Sequence, residues 1–254
     1  MYTLLLVLGL AGPLLSTGVV GAQEAIPRLF ELFGGGKEAA APAPLPASQL
    51  AAGLKAALRL GTELAVSRLG REDGFLGEPR VRIPLPRALE PLETGLRLLG
   101  QGERVKALEV QMNRAAERAV PAAKSLFWDA IATMSFADAR QILAGGDTAA
   151  TEFFKAKAGD GLYAAFRPTV DETLRQLGTV QAYQALLDSL RALPFLRVEA
   201  IDLSDYVTRK ALDGLFLMVA EEEKRLRRDP AARVTELLRR VFGHQAQAEE
   251  ASGR

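Results

Sequence analysis

The sequence predicts an all-α protein. It reads as a single-domain bundle of about eight or nine helices around a buried central helix over 205–228, with an extended Pro-rich crossover loop over 73–86. Three observations predict it. Apolar residues recur at three- and four-residue spacing through most of the chain beyond residue 48. Ala and Leu dominate while aromatics make up only 6% of the 254 residues, a composition that favours helix. The stretch "ALDGLFLMVA", 211–220, is apolar on nearly every side, so its helix is expected to be buried all round.

The chain begins with a leader. No charged side chain precedes Glu24, Leu4 to Leu15 are apolar apart from Gly9, Gly12 and Pro13, and Val20-Gly21-Ala22 has the form of a cleavage site. A signal peptide over 1–22 and a periplasmic protein are expected. The leader lacks an early Lys or Arg, and Tyr2 to Gln23 is long enough to cross a bilayer, so an uncleaved anchor is the alternative. Residues 23–47 hold a short amphipathic piece and then a linker rich in Ala, Pro and Gly. Ile26, Leu29, Phe30 and Phe33 of that piece are expected to dock on the domain or to make a weak membrane-surface contact.

The helical domain is expected over 48–243. Ser48 is placed to cap a helix running to Leu69, with Leu54, Ala57, Leu58, Gly61 and Ala65 on one face. A helix over Arg87 to Leu99 stops at Gly100-Gln101-Gly102. Glu103 to Met134 is one long pattern that Pro121 must kink or split. Ser135 and Asp138 mark a new start, Gly145-Gly146 its end, and Asp147 is read as the cap of a helix through Lys157. Asp160 to Leu177, interrupted by Pro168, is read as separate. Thr179 caps Val180 to Leu193 and Ser204 caps Asp205 to Arg228. A last helix follows Asp229-Pro230 and ends at Gly243, leaving 244–254 as a disordered tail.

The loop "DGFLGEPRVRIPLP" is unlike its neighbours. Asp73-Gly74 is a turn signal, and Val81, Ile83 and Leu85 alternate with Arg82 and Pro84 as in an extended segment lying on the bundle. Burying those three side chains is worth roughly 1.5–3 kcal/mol each. Phe75 and Leu76 form a second anchor. The loop is expected to be a clipped connection, with a partner or ligand lip carrying Arg80 and Arg82 as the functional alternative.

Composition narrows the chemistry. There is no Cys, so thiol catalysis, Cys-based zinc sites and disulfides are excluded. The one His, His244, lies in the tail. Lys+Arg is 32 and Asp+Glu is 31, which gives no pull towards nucleic acid. No Ser/His/Asp motif, phosphate-binding glycine loop or zinc motif is present, and Asp202, Asp205 and Asp213 do not have the spacing of a calcium loop. No cofactor, metal or catalytic residue is assigned.

Asp213, inside the apolar helix, needs a cation if it is buried. Arg209, Lys210 or Arg82 would supply it in a structural ion pair, and a pocket acid is the alternative. Asn113, Glu117 and Asp129 read as a solvated face rather than a polar channel. In "EEEKRLRR" the pairs Glu221–Arg225 and Glu223–Arg227 stand at i,i+4.

The candidate binding residues are therefore Phe75, Arg80, Arg82 and Asp213. The leading expectation is a non-enzymatic envelope protein that binds a protein partner. The alternatives are a carrier of a small apolar or lipidic ligand, with room left by Gly53, Ala57 and Gly61, and a carboxylate enzyme pairing Asp213 with Glu117 or Asp129. Nothing in the sequence indicates an oligomeric state.

Four stretches together carry a resemblance: "AVSRLGREDGFLGEPRVRIPLP", "NRAAERAVPAAKSLFWDAI", "MSFADARQIL" and "DYVTRKALDGLFLMVAEEEKRLRRDPAARVTELLRRVFG". The chain resembles a bacterial family of exported domains of unknown function, the DUF4197 group, over about Leu50 to Gly243. The resemblance implies an all-helical extracytoplasmic domain from a bacterium of Gram-negative type. It implies no activity, cofactor or catalytic residue.

Overall fold

Helical periodicity becomes helix throughout the computed structural model, which describes residues 47–89, 102–191 and 200–228. These all fall within the unit Leu45–Arg254. Among the described residues there are seven α-helices, two 3-10 turns and no strand: α1 (Ala47–Leu69), α2 (Gly102–Ala119), α3 (Ala123–Thr133), α4 (Phe136–Ala144), α5 (Ala149–Gln176), α6 (Thr179–Arg191) and α7 (Leu203–Arg228). The protein is all-α. The expected total of eight or nine includes segments outside the described residues, as do the leader, the linker, the tail and the helix after Asp229.

Helix α7 packs against α1, α2 and α5, and α5 also meets α2, α3, α4 and α6. The core joins Phe127 of α3, Phe154 of α5 and Phe216 of α7, whose rings meet edge to face at 5.0 Å (Phe127–Phe154) and 6.4 Å (Phe127–Phe216). Phe127, Phe154 and Phe166 are fully buried, each contributing about 1.5–3 kcal/mol of apolar transfer. On α1, Gly53, Ala57 and Gly61 are buried. A methyl group at Gly61 would meet Leu226 Cδ1 at 3.4 Å, so at this glycine the small-residue face is closed by α7 and leaves no room for a ligand.

Several boundaries differ from expectation. Pro121 splits the long pattern by a 3-10 turn, Val120–Ala122, between α2 and α3. The expected break between Lys157 and Asp160 does not occur. Phe154, Ala158, Leu162, Phe166, Val170 and Leu174 keep one buried face unbroken, and a helix continues where its buried face does. Exposed Pro168 is carried within α5. Arg87–Leu89 is a 3-10 turn, and the rest of its expected helix lies outside the described residues.

Among the expected caps, those at Ser48, Asp147 and Ser204 differ from the structure. Ser135 and Asp138 do form a capping box. Asp147, however, pairs with Arg228 instead of capping α5. The cap of α7 is Asp202, whose carboxylate accepts from Asp205 N at 3.0 Å, while Ser204 donates to Asp171. Helix α1 starts at Ala47, ahead of Ser48.

The central helix is not buried all round. Leu217 is 39% exposed and the Asp213 side chain 72% exposed. Three neighbouring helices cover three sides, and the fourth faces solvent. Within its charge run, Glu221 pairs with Arg80 rather than Arg225, Glu222 pairs with Arg225, and Glu223 pairs with Arg227 as expected.

Candidate functional site

The loop after α1 is held by side chains of α2. Residues 70–81 form successive turns, with Gly77 N donating to Asp73 O at 3.0 Å and Arg82 N to Glu78 O at 2.9 Å. The expected extended path therefore does not begin at Asp73. Asp73 takes φ 59°, and a side chain at Gly74 would sit 2.4 Å from Leu69 O, so the chain must coil tightly here. Beyond the turns, Val81, Ile83 and Leu85 are buried while Arg82 and Pro84 are exposed.

Asn113 and Glu117 then satisfy the backbone of this loop. Asn113 Oδ1 accepts from Ile83 N and its Nδ2 donates to Ile83 O, both at 2.9 Å. Glu117 Oε1 accepts from Phe75 N at 3.0 Å and from Leu76 N at 3.2 Å, and its Oε2 takes Arg114 at 2.6 Å. Both residues are buried, so they do not form the expected solvated face; Asp129 does lie exposed.

The four candidate residues, three on this loop and one on α7, do not converge on one site. Phe75 is fully buried. Its Cε1 would lie 2.8 Å from a methyl group at Gly214, which leaves it beneath α7 rather than at a lip. Arg80 is half exposed and joins Glu78 at 2.9 Å and Glu221 at 3.3 Å. Arg82 turns to Glu109 at 2.7 Å and so is not the partner of Asp213. Asp213 is exposed and among the described residues pairs with Lys210, at 3.6 Å, so the expected buried ion pair is replaced by a solvated one. Arg209 goes to Asp205 instead.

Asp213 opens onto a groove of about 660 Å³ between α5 and α7, lined by Lys155, Asp160, Tyr163, Arg209, Leu212, Asp213 and Phe216. Lys155 Nζ stands 5.9 Å from the Phe216 ring and the Arg209 guanidinium 5.3 Å from the Tyr163 ring. Tyr163 Oη donates to Asp205 Oδ1 at 2.6 Å and accepts from Arg167 Nη1 at 3.0 Å, and Arg167 Nη2 reaches Asp202 at 2.7 Å. Arg209, and then the Tyr163 hydroxyl, hold the Asp205 carboxyl below its ordinary range.

Asp205, bound to Tyr163 and Arg209 of the groove, is moved down by these donors, whereas a general acid needs a carboxyl moved up. Glu117, the proposed partner of Asp213 in a carboxylate pair, has both oxygens engaged by loop amides and Arg114. Among the described residues no group of acids or histidines is arranged to hold a metal ion. The groove offers separated charges of both signs over an aromatic and aliphatic floor.

Lys155, Tyr163 and Phe216 were missed as site residues. Lys155 and Tyr163 stand eight residues apart on α5, a helical spacing, but their convergence with Arg209 and Phe216 joins helices about fifty residues apart in sequence.

A family described as a protein of unknown function (DUF4197) has a model that matches residues 44–243. No curated protein and no solved structure matches the chain.

Proposed function

The chain belongs to the DUF4197 family, and from that premise we propose that it is a non-enzymatic binding module whose α5–α7 groove takes a segment of a protein partner. The observation that carries this reading is the groove itself. Lys155 and Arg209 stand over aromatic rings, Asp160 and Asp213 flank them, and Leu217 lies exposed one turn beyond Asp213. Paired charges around an apolar floor are the composition of a recognition surface. Arg80, tied to Glu221 one turn beyond Leu217, extends the same side of α7. Phe75, packed beneath Gly214, supports α7 from the loop.

The leader over 1–22 exports the domain to the periplasm, where the partner is an envelope protein. Among the described residues no helix is long and apolar enough to cross a membrane. The test is site-specific photocrosslinking in intact cells from a reactive residue at Leu217. One dominant adduct is expected, and it should vanish in a variant carrying Arg209→Glu and Asp213→Lys. Equal labelling of many proteins, or an adduct indifferent to those changes, would overturn the reading.

A second reading rests on an apolar cleft of about 300 Å³ between α2 and α6, lined by Ala107, Leu108, Ala182, Ala185 and Leu186 with Arg104 and Gln111 beside them. Its size and lining suit a small apolar or lipidic ligand. Native mass spectrometry of freshly purified protein separates the two readings, since a carrier retains a copurifying mass and a partner module does not.

A further inference from the structure

Helices α1 and α3 run antiparallel with their outer side chains in register. Lys55 Nζ donates to Ala132 O at 3.2 Å, the Arg59 guanidinium lies 5.9 Å from the Trp128 ring, and Lys124 Nζ reaches Glu63 at 2.6 Å. Lys124 Nζ also stands 4.8 Å from the Trp128 ring. Trp128 is thus bracketed by two cations while remaining 38% exposed. Eight residues on, Phe136 repeats the arrangement: it is 45% exposed and has the Arg140 guanidinium 6.0 Å away. Helix α4, which carries Phe136 and Arg140, also packs on α1.

Exposed large aromatics are few here: of the four large hydrophobics exposed among the described residues, Trp128 and Phe136 are the two rings, and each has a cation over it. The charge of this surface is locally uneven. Lys55, Arg59, Lys124 and Arg140 outnumber Glu63, Asp129 and Asp138, whereas the whole chain is nearly balanced at +1. An indole prefers the boundary between headgroups and acyl chains, and a Lys or Arg beside it pairs with lipid phosphate while its stem stays in apolar surroundings. A protein partner would have to supply a separate acidic, apolar pocket for each ring. An anionic bilayer supplies both properties along its whole surface.

We propose that the α1–α3 face, with Trp128 at its centre, seats the domain on an anionic lipid bilayer. Trp128 lies at headgroup depth, Arg59 and Lys124 engage phosphates, and Phe136 with Arg140 forms a second foot. This contact is separate from the α5–α7 groove and does not depend on what that groove binds.

Trp128 is the one tryptophan in the sequence, so its emission reports this face alone. The full-length chain is titrated with vesicles of phosphatidylcholine containing phosphatidylglycerol, with all-phosphatidylcholine vesicles as control, and brominated acyl chains are used as quenchers. Expected on anionic vesicles are a blue shift and quenching of Trp128, both reversed by high salt and absent on neutral vesicles. Each cation is worth about fivefold in affinity at such a surface, so Arg59→Gln with Lys124→Gln should weaken binding by roughly 25-fold. Circular dichroism checks that this variant stays helical, and the salt titration of the unaltered protein is the control that needs no variant. The proposal is overturned if Trp128 emission is unmoved on anionic vesicles, including when the chain sediments with them through residues 26–33 or another segment. Equal response on neutral vesicles overturns it too, as does a response that survives loss of both cations.

Discussion

Asn113 of α2 holds Ile83 of the loop by both of its backbone polar groups, accepting from the N–H and donating to the C=O at 2.9 Å each. A side chain here does what a neighbouring strand would do. It explains how an extended segment with prolines on either side of Leu85 lies in a helical protein without orphaned polar groups.

Asn113→Ala should therefore cost far more than a surface truncation. It leaves a buried N–H and C=O without partners, a loss of about 2–4 kcal/mol. Asn113→Asp should cost at least as much, because it removes the donor and adds a buried charge. Urea midpoints of the three proteins check this. A change below about 0.5 kcal/mol, the ordinary surface value, would mean the loop is held elsewhere.

Strong acid should loosen the opposite edge of the loop. Glu78 receives Arg80 and Arg68, and the Arg80 hydrogen bond is the main reason its pKa falls from 4.5 to about 2. A carboxyl depressed on folding stabilises the protein fully above its unfolded pKa, and that stabilisation is lost as pH falls through the folded one. The window is pH 4.5 to about 2. Because Arg80 and Arg68 are each nearly half exposed, solvent and salt weaken the effect. Glu78→Gln should flatten the pH dependence of stability in that window and change little at pH 7 beyond a small constant loss. Urea denaturation at stepped pH gives both slopes.

Much of this architecture was legible in sequence. Four-residue apolar spacing gave the helices because burial on one face is written locally in the chain. The alternation Val81, Ile83, Leu85 likewise gave the buried side of the loop. What was not legible depends on partners distant in sequence. Asn113 and Glu117 look like surface polars until the loop is laid across them, thirty to forty residues away in the chain. Asp213 sits among apolar residues in sequence yet faces water, since neighbours cover only three sides of α7. For the same reason the groove was visible only through Asp213.

Two helical glycines should respond to the same change with opposite sign. A methyl group at Gly214 would meet Phe75 Cε1 at 2.8 Å and Val81 Cβ at 3.1 Å, both buried, while one at Gly159 meets nothing within 4 Å. Gly159→Ala gains helix propensity and should stabilise by up to about 1 kcal/mol. Gly214→Ala gains the same propensity but overpacks the loop anchor, for a net loss of about 1–3 kcal/mol. Thermal midpoints of both variants decide it. A stabilised Gly214→Ala protein would show that the loop yields easily, and the close seat of Phe75 would then count for little.

Glu223 is buried, and its removal should unfasten the start of α5. Helix α5 has no side-chain cap of its own. Instead Glu223 of α7 accepts from Ala150 N, Thr151 N and Thr151 Oγ1, each at 2.9 Å. Arg227 binds the same carboxylate and also donates to Ile142 O, near the end of α4, at 2.9 Å. One ion pair thus ties the end of α4, the start of α5 and the last turns of α7. An anion at a helix N-terminus is favoured by the helix dipole and by the free amides. Glu223→Gln turns an NH2 group towards donors and should cost about 1–3 kcal/mol. Glu223→Ala also takes the carboxylate away from a largely buried Arg227 and should cost about 3–5 kcal/mol. The two residues should be coupled, so Glu223→Ala with Arg227→Ala should lose less than the sum of the single changes, by about 1–3 kcal/mol. Hydrogen exchange gives the local readout: the amides of Ala150 and Thr151 should exchange faster in Glu223→Gln while those at the middle of α5 stay protected. Unchanged exchange at those two amides, even in a destabilised variant, would show that the carboxylate is not the cap of α5.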